Sequence, residues 1–255
     1  MEMEGRMMKK LAFVMVMLLT FCIMAQDKTV TDVKEILDKM DKVYRADSSE
    51  FEMEMEIITP DWQRKMRMKA WSEGMKKTFI TILSPSKDKG IGTLKVNSDM
   101  WNYFPKVNKV MKVPPSMMMG SWMGSDFTND DLVKETTFRD DHTAKLLEST
   151  EKDIIVIELK PKESAASVWG KIVAKARRSD YLPVSQDYYD EKGKHVRTMK
   201  FYDIKKFGDR MIPAVMEIIP LNKTGHKTKI TYIEGKFNIK LDSDTFSLRN
   251  LQKMR

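Results

Sequence analysis

The sequence is poor in the residues that build disulfide frameworks and metal centres. Its 255 residues include one cysteine, Cys22, and three histidines, His142, His195 and His226. A single cysteine cannot form an internal disulfide bond, and so few cysteines and histidines leave little for a zinc site. The histidines are far apart in the chain and lie beside charged or turn residues, which favours solvated surface positions. We therefore expect no metal and no cofactor.

Sequence motifs of catalysis are also lacking. Residues 120–124 resemble a nucleophile elbow, but the serine stands in the wrong place for the G-x-S-x-G pattern. A calcium-loop pattern that begins at Asp126 fails, because Asp131 replaces the required glycine and Thr137 replaces the final glutamate. The chain has no phosphate-binding loop and no dinucleotide fingerprint. The sequence thus predicts a protein that is not an enzyme.

Long hydrophobic runs are limited to one, near the start of the chain. Lys9 and Lys10 precede an apolar run at residues 11–24, and Ala25 follows it. This order of charge, apolar run and small residue is typical of a secretory signal peptide. A membrane-spanning helix needs about 20 apolar residues, so retention as an anchor is the weaker alternative. We expect a signal peptide at residues 1–25 and one exported domain at residues 26–255.

Positive charge and methionine are present in excess. The chain has 45 basic and 37 acidic side chains, a formal net charge of +8, and 23 methionines. The lysines mostly alternate with glutamates along predicted strands, so we expect no nucleic-acid binding; anionic lipid head groups or acidic partner surfaces suit the net charge better. Methionine is flexible and polarizable, which favours surfaces that adapt to varied apolar ligands.

Apolar periodicity predicts one helix followed by many strands. Apolar residues recur every three or four positions across residues 30–44, which indicates an amphipathic helix. Phe51 and Met53 then alternate with Glu52 and Glu54, a half-buried strand whose glutamates face the basic side of the next strand. Strand candidates lie at residues 51–57, 65–70, 77–83, 93–96, 100–104, 107–113, 145–148, 154–160, 170–178, 184–190, 195–203, 212–219 and 227–234.

These elements predict a mainly β fold with few helices. Roughly a dozen short strands joined by hairpins, with no Gly- or Pro-rich linker, favour one curved antiparallel sheet or incomplete β-barrel. Its apolar face needs a cover, and the evident covers are the N-terminal helix and residues 114–134, which we name the lid segment. This segment combines four methionines, Trp122 and Phe127 with two glycines, and a short helix is expected at residues 130–134. The composition fits a mobile apolar flap, or a plug that merely closes the core.

Several stretches resemble one bacterial family. They are residues 92–95 (Gly-Thr-Leu-Lys), 100–106 (Met-Trp-Asn-Tyr-Phe-Pro-Lys), 121–132 (Ser-Trp-Met-Gly-Ser-Asp-Phe-Thr-Asn-Asp-Asp-Leu), 181–183 (Tyr-Leu-Pro) and 244–246 (Asp-Thr-Phe). Together they resemble the outer-membrane lipoprotein-sorting proteins of the LolA-like superfamily, relatives of the periplasmic lipoprotein carrier. The resemblance covers most of the chain after residue 25, and residues 121–127 are its most specific part.

The resemblance implies a periplasmic, non-enzymatic and monomeric lipid-binding protein of a Gram-negative envelope. Its cargo would be a lipoprotein or another lipid, carried toward the outer membrane. The implied partners are an inner-membrane transporter of the resistance-nodulation-division or ABC type and an outer-membrane acceptor. Two rival functions stay open: an envelope scaffold or sensor that binds a membrane transporter through the same flap, and a hydrolase of envelope lipids.

The expected lipid-binding and lid residues are apolar and lie on predicted strands or in the lid segment. A one-residue change of strand register would replace Trp101 and Tyr103 with Met100, Asn102 and Phe104. Each residue has an alternative role as plain core. The candidates are Met66, Met68, Trp101, Tyr103, Met117, Met119, Trp122, Met123, Phe127 and Leu132.

Overall fold

The computed structural model describes residues 28–133, 137–165 and 167–253. The expected signal peptide at residues 1–25 lies outside the described residues. Of the helices in the described ranges, none is long and apolar enough to cross a membrane. The described residues contain thirteen strands, all in one sheet, and four α-helices, which confirms the mainly β fold class.

Each strand candidate from the sequence overlaps one observed strand. The strands are β1 Ser48–Ile58, β2 Gln63–Glu73, β3 Lys77–Ser84, β4 Gly92–Val96, β5 Asp99–Phe104, β6 Lys109–Lys112, β7 His142–Leu147, β8 Ile154–Pro161, β9 Lys171–Arg177, β10 Pro183–Tyr189, β11 His195–Phe207, β12 Arg210–Pro220 and β13 Lys227–Phe237. The helices are α1 Lys28–Lys42, α2 Asn129–Val133, α3 Phe138–Asp141 and α4 Leu248–Lys253. Strand β6 is shorter than predicted, because Pro105–Val107 form a 3-10 turn ahead of it.

The sheet is a curved, open antiparallel meander. Strands adjacent in sequence are paired along both halves, and β1 pairs with β13 to join the halves, from Ser49 opposite Phe237 to Ile58 opposite Lys227. Strands β6 and β7 are the two free edges. The chain between these edges carries the lid segment, so the topology places the lid where the sheet is open.

Strands β1 and β2 show how alternation produces one apolar and one charged face. Met55 lies opposite Met66, and both side chains are fully buried. On the other face, the Lys65 Nζ atom lies 2.7 Å from the Glu54 carboxylate. The predicted pairing of the glutamate and lysine faces is therefore confirmed.

Helix α1 covers part of the concave face. Ile36, Leu37 and Met40 are buried at the three- and four-residue spacing of one helix face, and Val43, directly after the helix, is buried as well. The helix begins and ends two residues earlier than predicted, at Lys28 and Lys42. It packs against α3 and β7, beside one edge of the opening.

Asp41 joins α1 to α3. Its carboxylate accepts hydrogen bonds from the backbone N–H groups of Phe138 and Arg139, at 3.0 and 3.1 Å. These groups belong to the first turn of α3 and have no partner within that helix. Burial raises the pKa of Asp41, although the two hydrogen bonds oppose this effect.

The outer face of the sheet carries a second apolar cluster that the sequence analysis missed. Phe79, Leu94 and Tyr103 pack there against Leu251 of α4, and all four are almost fully buried. Trp71 stacks on Phe79, with 5.4 Å between the ring centroids. The expectation that only the first helix and the lid segment cover the sheet is therefore incomplete, because α4 covers the outer face at β4.

Candidate functional site

A cavity of about 460 Å³ lies between the concave face of the sheet, helix α1 and the lid segment. Its size falls within the range of small-molecule sites, which are typically apolar with a few polar groups. Strands from both halves of the sheet contribute to its wall. The apolar lining includes Met40 from α1, Tyr44 just after this helix, Phe51, Met53, Ile80, Met199, Phe201 and Ile230 from the sheet, and Trp122, Phe127 and Leu132 from the lid segment.

Trp122 holds the lid segment down over one half of the sheet. Its side chain is 3% exposed, and its indole Nε1–H donates a hydrogen bond to Thr93 Oγ1 on β4 at 3.1 Å. Its backbone N–H donates to the Phe127 carbonyl at 2.8 Å, which folds residues 122–127 into a compact turn. Met123 has a φ of 54° in this turn, and Arg64 of β2 donates to its carbonyl at 3.3 Å.

Asp126 attaches the same turn to β13. Its backbone N–H donates to Thr228 Oγ1 at 2.9 Å, and the Thr228 hydroxyl donates back to Asp126 Oδ2 at 2.8 Å. Thr228 is fully buried. A buried hydroxyl that lost this partner would carry a desolvation cost, so the pair favours the closed lid.

Arg197 of β11 attaches the lid helix α2 to the other half of the sheet. Its Nη1 and Nη2 atoms donate to the two carboxylate oxygens of Asp131, each at 2.8 Å. The backbone N–H and hydroxyl of Thr128 also donate to Asp131 Oδ2, each at 2.9 Å. Burial alone would raise the pKa of Asp131, but these hydrogen bonds and the Arg197 charge hold it below its ordinary value.

The guanidinium of Arg197 lies between two aromatic rings. Its Cζ atom is 4.6 Å from the ring centroid of Trp169 and 4.4 Å from that of Tyr188. Such stacking suits arginine, whose planar cation is weakly hydrated. Burial lowers the pKa of Arg197, but the bonds and charge of Asp131 outweigh this and raise it, so the pair stays ionised.

The tyrosine hydroxyls of the cavity wall are uncharged, and two of them donate hydrogen bonds to other protein groups. Burial raises the pKa of both Tyr188 and Tyr232 to about 12. The Tyr188 hydroxyl donates to Gln186 Oε1 at 2.7 Å, and the Tyr44 hydroxyl donates to the Pro213 carbonyl at 2.9 Å. The wall therefore presents phenol rings to the cavity without phenolate charge at neutral pH.

Three predicted site residues, Trp122, Phe127 and Leu132, meet at the cavity. Met66 and Met68 face the same side of the sheet but are fully buried in the core and do not line the cavity. Met123 packs on the edge of that core, at the turn of the lid segment.

Other predicted site residues lie elsewhere. Met117 and Met119 are 58% and 53% exposed on the outside of the lid segment. The placement of Trp101 and Tyr103 at the lining is wrong, because both belong to the outer cluster with Leu251. The alternative register of β5 places Met100 on the inner face of the sheet. This facing is correct, because Met100 is buried in the main core.

Sequence analysis also missed the polar elements of the site. Arg197 was not singled out, although it shares one face of β11 with Met199 and Phe201, two and four residues later. A cation in phase with buried apolar residues indicates a buried charge. Asp131 was considered as part of a calcium loop, of a short helix and of the family-like stretch, but not as the partner of a buried cation. In the described ranges, no group of three or more His, Cys, Asp or Glu residues is placed to hold a metal ion.

His142 contributes its imidazole ring to the cavity wall and is buried, so the expectation of a solvated surface position is wrong for this histidine. Its Nδ1 atom lies 3.1 Å from the Thr137 carbonyl, and its ring packs edge-on against Phe138 at 5.9 Å. Ser49 and Ser72, which also line the cavity, bond to each other at 2.7 Å. Among the described side chains of the wall, no serine hydroxyl is hydrogen-bonded to a histidine.

Comparison with known proteins places the fold. A family model described as "Uncharacterized protein" matches residues 74–253. The crystal structure of a DUF1329 family protein from Desulfovibrio piger has a TM-score of 0.77 and 22% identity, covering 87% of this chain and 98% of that one. A search of curated proteins found no match.

Two further structures are similar. One is a domain described as an outer membrane lipoprotein-sorting protein from Vibrio parahaemolyticus, with a TM-score of 0.72 and 22% identity over 86% of this chain and 98% of that one. The other is a LolA superfamily protein from Nitrosomonas europaea, with a TM-score of 0.70 and 19% identity over 85% and 98% of the respective chains. The chain therefore belongs to the family that the matching model describes, and its fold is that of the LolA-like outer-membrane lipoprotein-sorting proteins.

Proposed function

We propose that this protein is a periplasmic carrier that binds an acyl chain of a lipoprotein or of another lipid and moves it toward the outer membrane. The observation that supports this most directly is the apolar cavity of about 460 Å³ beneath the lid segment. The fold adds support, since two similar structures are described as a lipoprotein-sorting protein and a LolA superfamily protein.

The cavity wall has the chemistry that an acyl chain requires. An alkyl chain forms no hydrogen bonds, so its affinity comes from apolar burial, about 0.8 kcal/mol per CH₂ group. Met53 and Met199 add adaptable thioether side chains to the rings of Phe51 and Phe201 at the wall. A wall of this kind accepts chains of different length and branching.

The polar groups of the wall support binding rather than catalysis. Arg197 and Asp131 neutralise each other, and the Ser49 and Ser72 hydroxyls bond to each other. A hydrolase needs a nucleophile within hydrogen-bond reach of a base. Among the described residues that line the cavity, the hydrogen bonds form no such pair; the non-enzymatic role remains part of our proposal.

Cargo exchange requires the lid segment to move. Trp122, Asp126 and Asp131 each hold it through a side-chain hydrogen bond to the sheet. In our proposal, loading breaks these contacts and the acyl chain replaces the apolar surface of Trp122 and Phe127. The contacts form again when the cargo leaves.

The location and partners in this proposal follow the family resemblance. The signal peptide at residues 1–25 directs the chain to the periplasm. An inner-membrane transporter of the resistance-nodulation-division or ABC type supplies the cargo, and an outer-membrane acceptor receives it from the monomeric carrier.

Native mass spectrometry of the chain, purified from the periplasm of a Gram-negative host, tests the proposal. We expect bound lipid in the spectrum and saturable uptake of a fluorescent fatty-acyl probe. An empty protein that also takes up no probe would overturn the carrier function and favour the scaffold or sensor.

A cavity-filling variant links uptake to the cavity. Ala70 of β2 lines the wall, and Ala70→Phe places a ring inside it. We expect probe affinity to fall about tenfold or more, since several methylene groups lose their place. Thr143→Phe adds a ring on the outer face of β7, where Thr143 is exposed and lies opposite Lys160, and serves as the control. Equal affinity in both variants would show that the probe binds elsewhere.

A further inference from the structure

Residues 100–125 contain no aspartate or glutamate, although the chain has 37 acidic residues in all. The same stretch contains Lys106, Lys109 and Lys112, six methionines and two tryptophans. The structure divides it into an inner part, which includes the cavity residue Trp122, and an outer part. We name the outer part, residues 105–119, the basic tip. It consists of the turn Pro105–Val107, edge strand β6 and the turn Pro115–Met117 with its flanks.

The basic tip exposes large apolar side chains. Val107 is 69% exposed, Met111 is 47% exposed, and Met117 and Met119 are 58% and 53% exposed. Single exposed apolar residues are ordinary, but four within 13 consecutive residues form a feature that calls for a partner. None of the four is used by the cavity.

The lysines of the basic tip are mostly free of internal counter-charges. Lys112 Nζ lies 2.9 Å from Asp99 and 5.5 Å from the ring centroid of Trp101. Lys106 and Lys109 are exposed and form no ion pair with a described residue. The tip thus presents cations interleaved with apolar side chains, and it does so on an edge strand with unpaired backbone groups.

We propose that the basic tip docks on a bilayer surface that contains anionic lipids. Lysines beside exposed methionine and valine match such a surface, because the ammonium groups meet lipid phosphates while the apolar side chains enter the boundary with the acyl chains. An acidic protein surface would satisfy the lysines but leave Val107, Met117 and Met119 without apolar contacts.

The basic tip is continuous with the lid turn, so docking of the tip would also act on the lid segment. Met119 is three residues from Trp122, and the Gly120 N–H bonds to the Met117 carbonyl, so the tip and the lid turn form one continuous segment. The Asn129 side chain also donates to the Met117 carbonyl, at 3.0 Å, which connects the tip to lid helix α2. A bilayer that binds Met117 and Met119 therefore acts on the lid segment itself.

Vesicle co-sedimentation of the full chain tests the docking surface. The vesicles contain phosphatidylcholine alone or phosphatidylcholine with about 30% phosphatidylglycerol, at about 0.15 M salt. We expect binding to the anionic vesicles, weaker binding as salt rises, and little binding to the neutral ones. Equal sedimentation with both kinds of vesicle, or with neither, would overturn the proposal.

Paired variants localise the contact. Lys106→Glu with Lys109→Glu, and separately Met117→Ser with Met119→Ser, are each expected to reduce the bound fraction about fivefold or more. The controls are Lys192→Glu with Lys194→Glu in the exposed β10–β11 turn, and Met211→Ser, whose side chain is 52% exposed on β12. Controls that lose binding as strongly as the tip variants would place the contact elsewhere.

The docking result is separable from the carrier function. In solution without vesicles, the Lys106→Glu with Lys109→Glu variant should take up the fatty-acyl probe as the unmodified chain does, because neither lysine lies in the lid segment or lines the cavity. Normal probe uptake with no vesicle binding would overturn the docking surface alone. Vesicle binding without probe uptake would instead overturn the carrier function and leave the docking surface in place.

Discussion

Arg197 and Asp131 are 66 residues apart in the chain, yet two hydrogen bonds of 2.8 Å join them beneath the lid helix. One partner belongs to the sheet and the other to the lid segment, so the ion pair attaches the lid segment to the sheet at the cavity. Both side chains are mostly shielded from water, at 7% and 18% exposure. Breaking a buried pair from one side is costly, because the remaining charge stays buried without a partner.

Replacing Arg197 alone should therefore be more harmful than replacing the whole pair. We expect Arg197→Ala to reduce the free energy of unfolding by about 3–5 kcal/mol. The double variant Arg197→Met with Asp131→Leu should recover most of that loss, because no charge remains buried. Urea unfolding followed by tryptophan fluorescence measures both. A double variant no more stable than Arg197→Ala would show that the pair contributes through packing on Trp169 and Tyr188 instead.

The ion pair should persist at every pH from neutral down to about 5. The pKa of Asp131 is lower in the folded chain than its ordinary value of 3.8, so the unfolded chain binds the proton first as pH falls. The stabilisation is complete above the ordinary value and is lost as pH falls through the lowered one. The difference in unfolding free energy between the unmodified chain and Asp131→Asn should thus stay constant from about pH 5 to 8 and shrink below about pH 4. A difference that already shrinks near pH 6 would contradict a lowered pKa.

The bond between Asp126 and Thr228 should control how fast the cavity opens. Thr228→Val keeps the shape of the side chain and removes the hydroxyl, which leaves Asp126 without its partner on β13. We expect a loss of about 1–3 kcal/mol in stability and faster uptake of a fluorescent acyl probe in stopped-flow measurements. Thr198→Val is the matched control, since the Thr198 hydroxyl donates to Asp187 at 2.7 Å within the sheet. Faster uptake in both variants would indicate general loosening rather than release of the lid.

The outer cluster should contribute to stability without affecting the cavity. Leu251 of α4 is fully buried against Phe79, Leu94 and Tyr103. Leu251→Ala should reduce the free energy of unfolding by about 2–5 kcal/mol, with probe affinity unchanged when measured well below the unfolding temperature. A parallel loss of affinity would mean that the two faces of the sheet are coupled.

The strands were predictable because most have one buried face. Along β1, Phe51 and Met53 alternate with Glu52 and Glu54, and this period identifies both the strand and its buried side. Strand β3 is different: Phe79, Ile80 and Ile82 are buried on both of its faces, so the period of two is weak there. The facing of β5 was ambiguous for the same reason.

Sequence patterns could not predict the hydrogen bonds that attach the lid segment to the sheet. Trp122 stood out as a lid residue, but its partner Thr93 lies on β4 and is positioned only by the sheet register. Asp126 and Thr228 are 102 residues apart. Hydrogen bonds between such distant residues depend on tertiary packing, and a single sequence carries no periodic signal for them.

The pairing of β1 with β13 joins the two halves of the sheet at its centre, while its two edges, β6 and β7, stay unpaired. The strand order β6 to β1 and then β13 to β7 means that the lid segment is the covalent link between two halves. The long ladder from Ser49–Phe237 to Ile58–Lys227 joins those halves through backbone hydrogen bonds, to which side-chain contacts such as Lys229 with Glu56 are added. We therefore expect the two fragments from a single cut in the exposed turn near Ser116 to stay associated through this ladder.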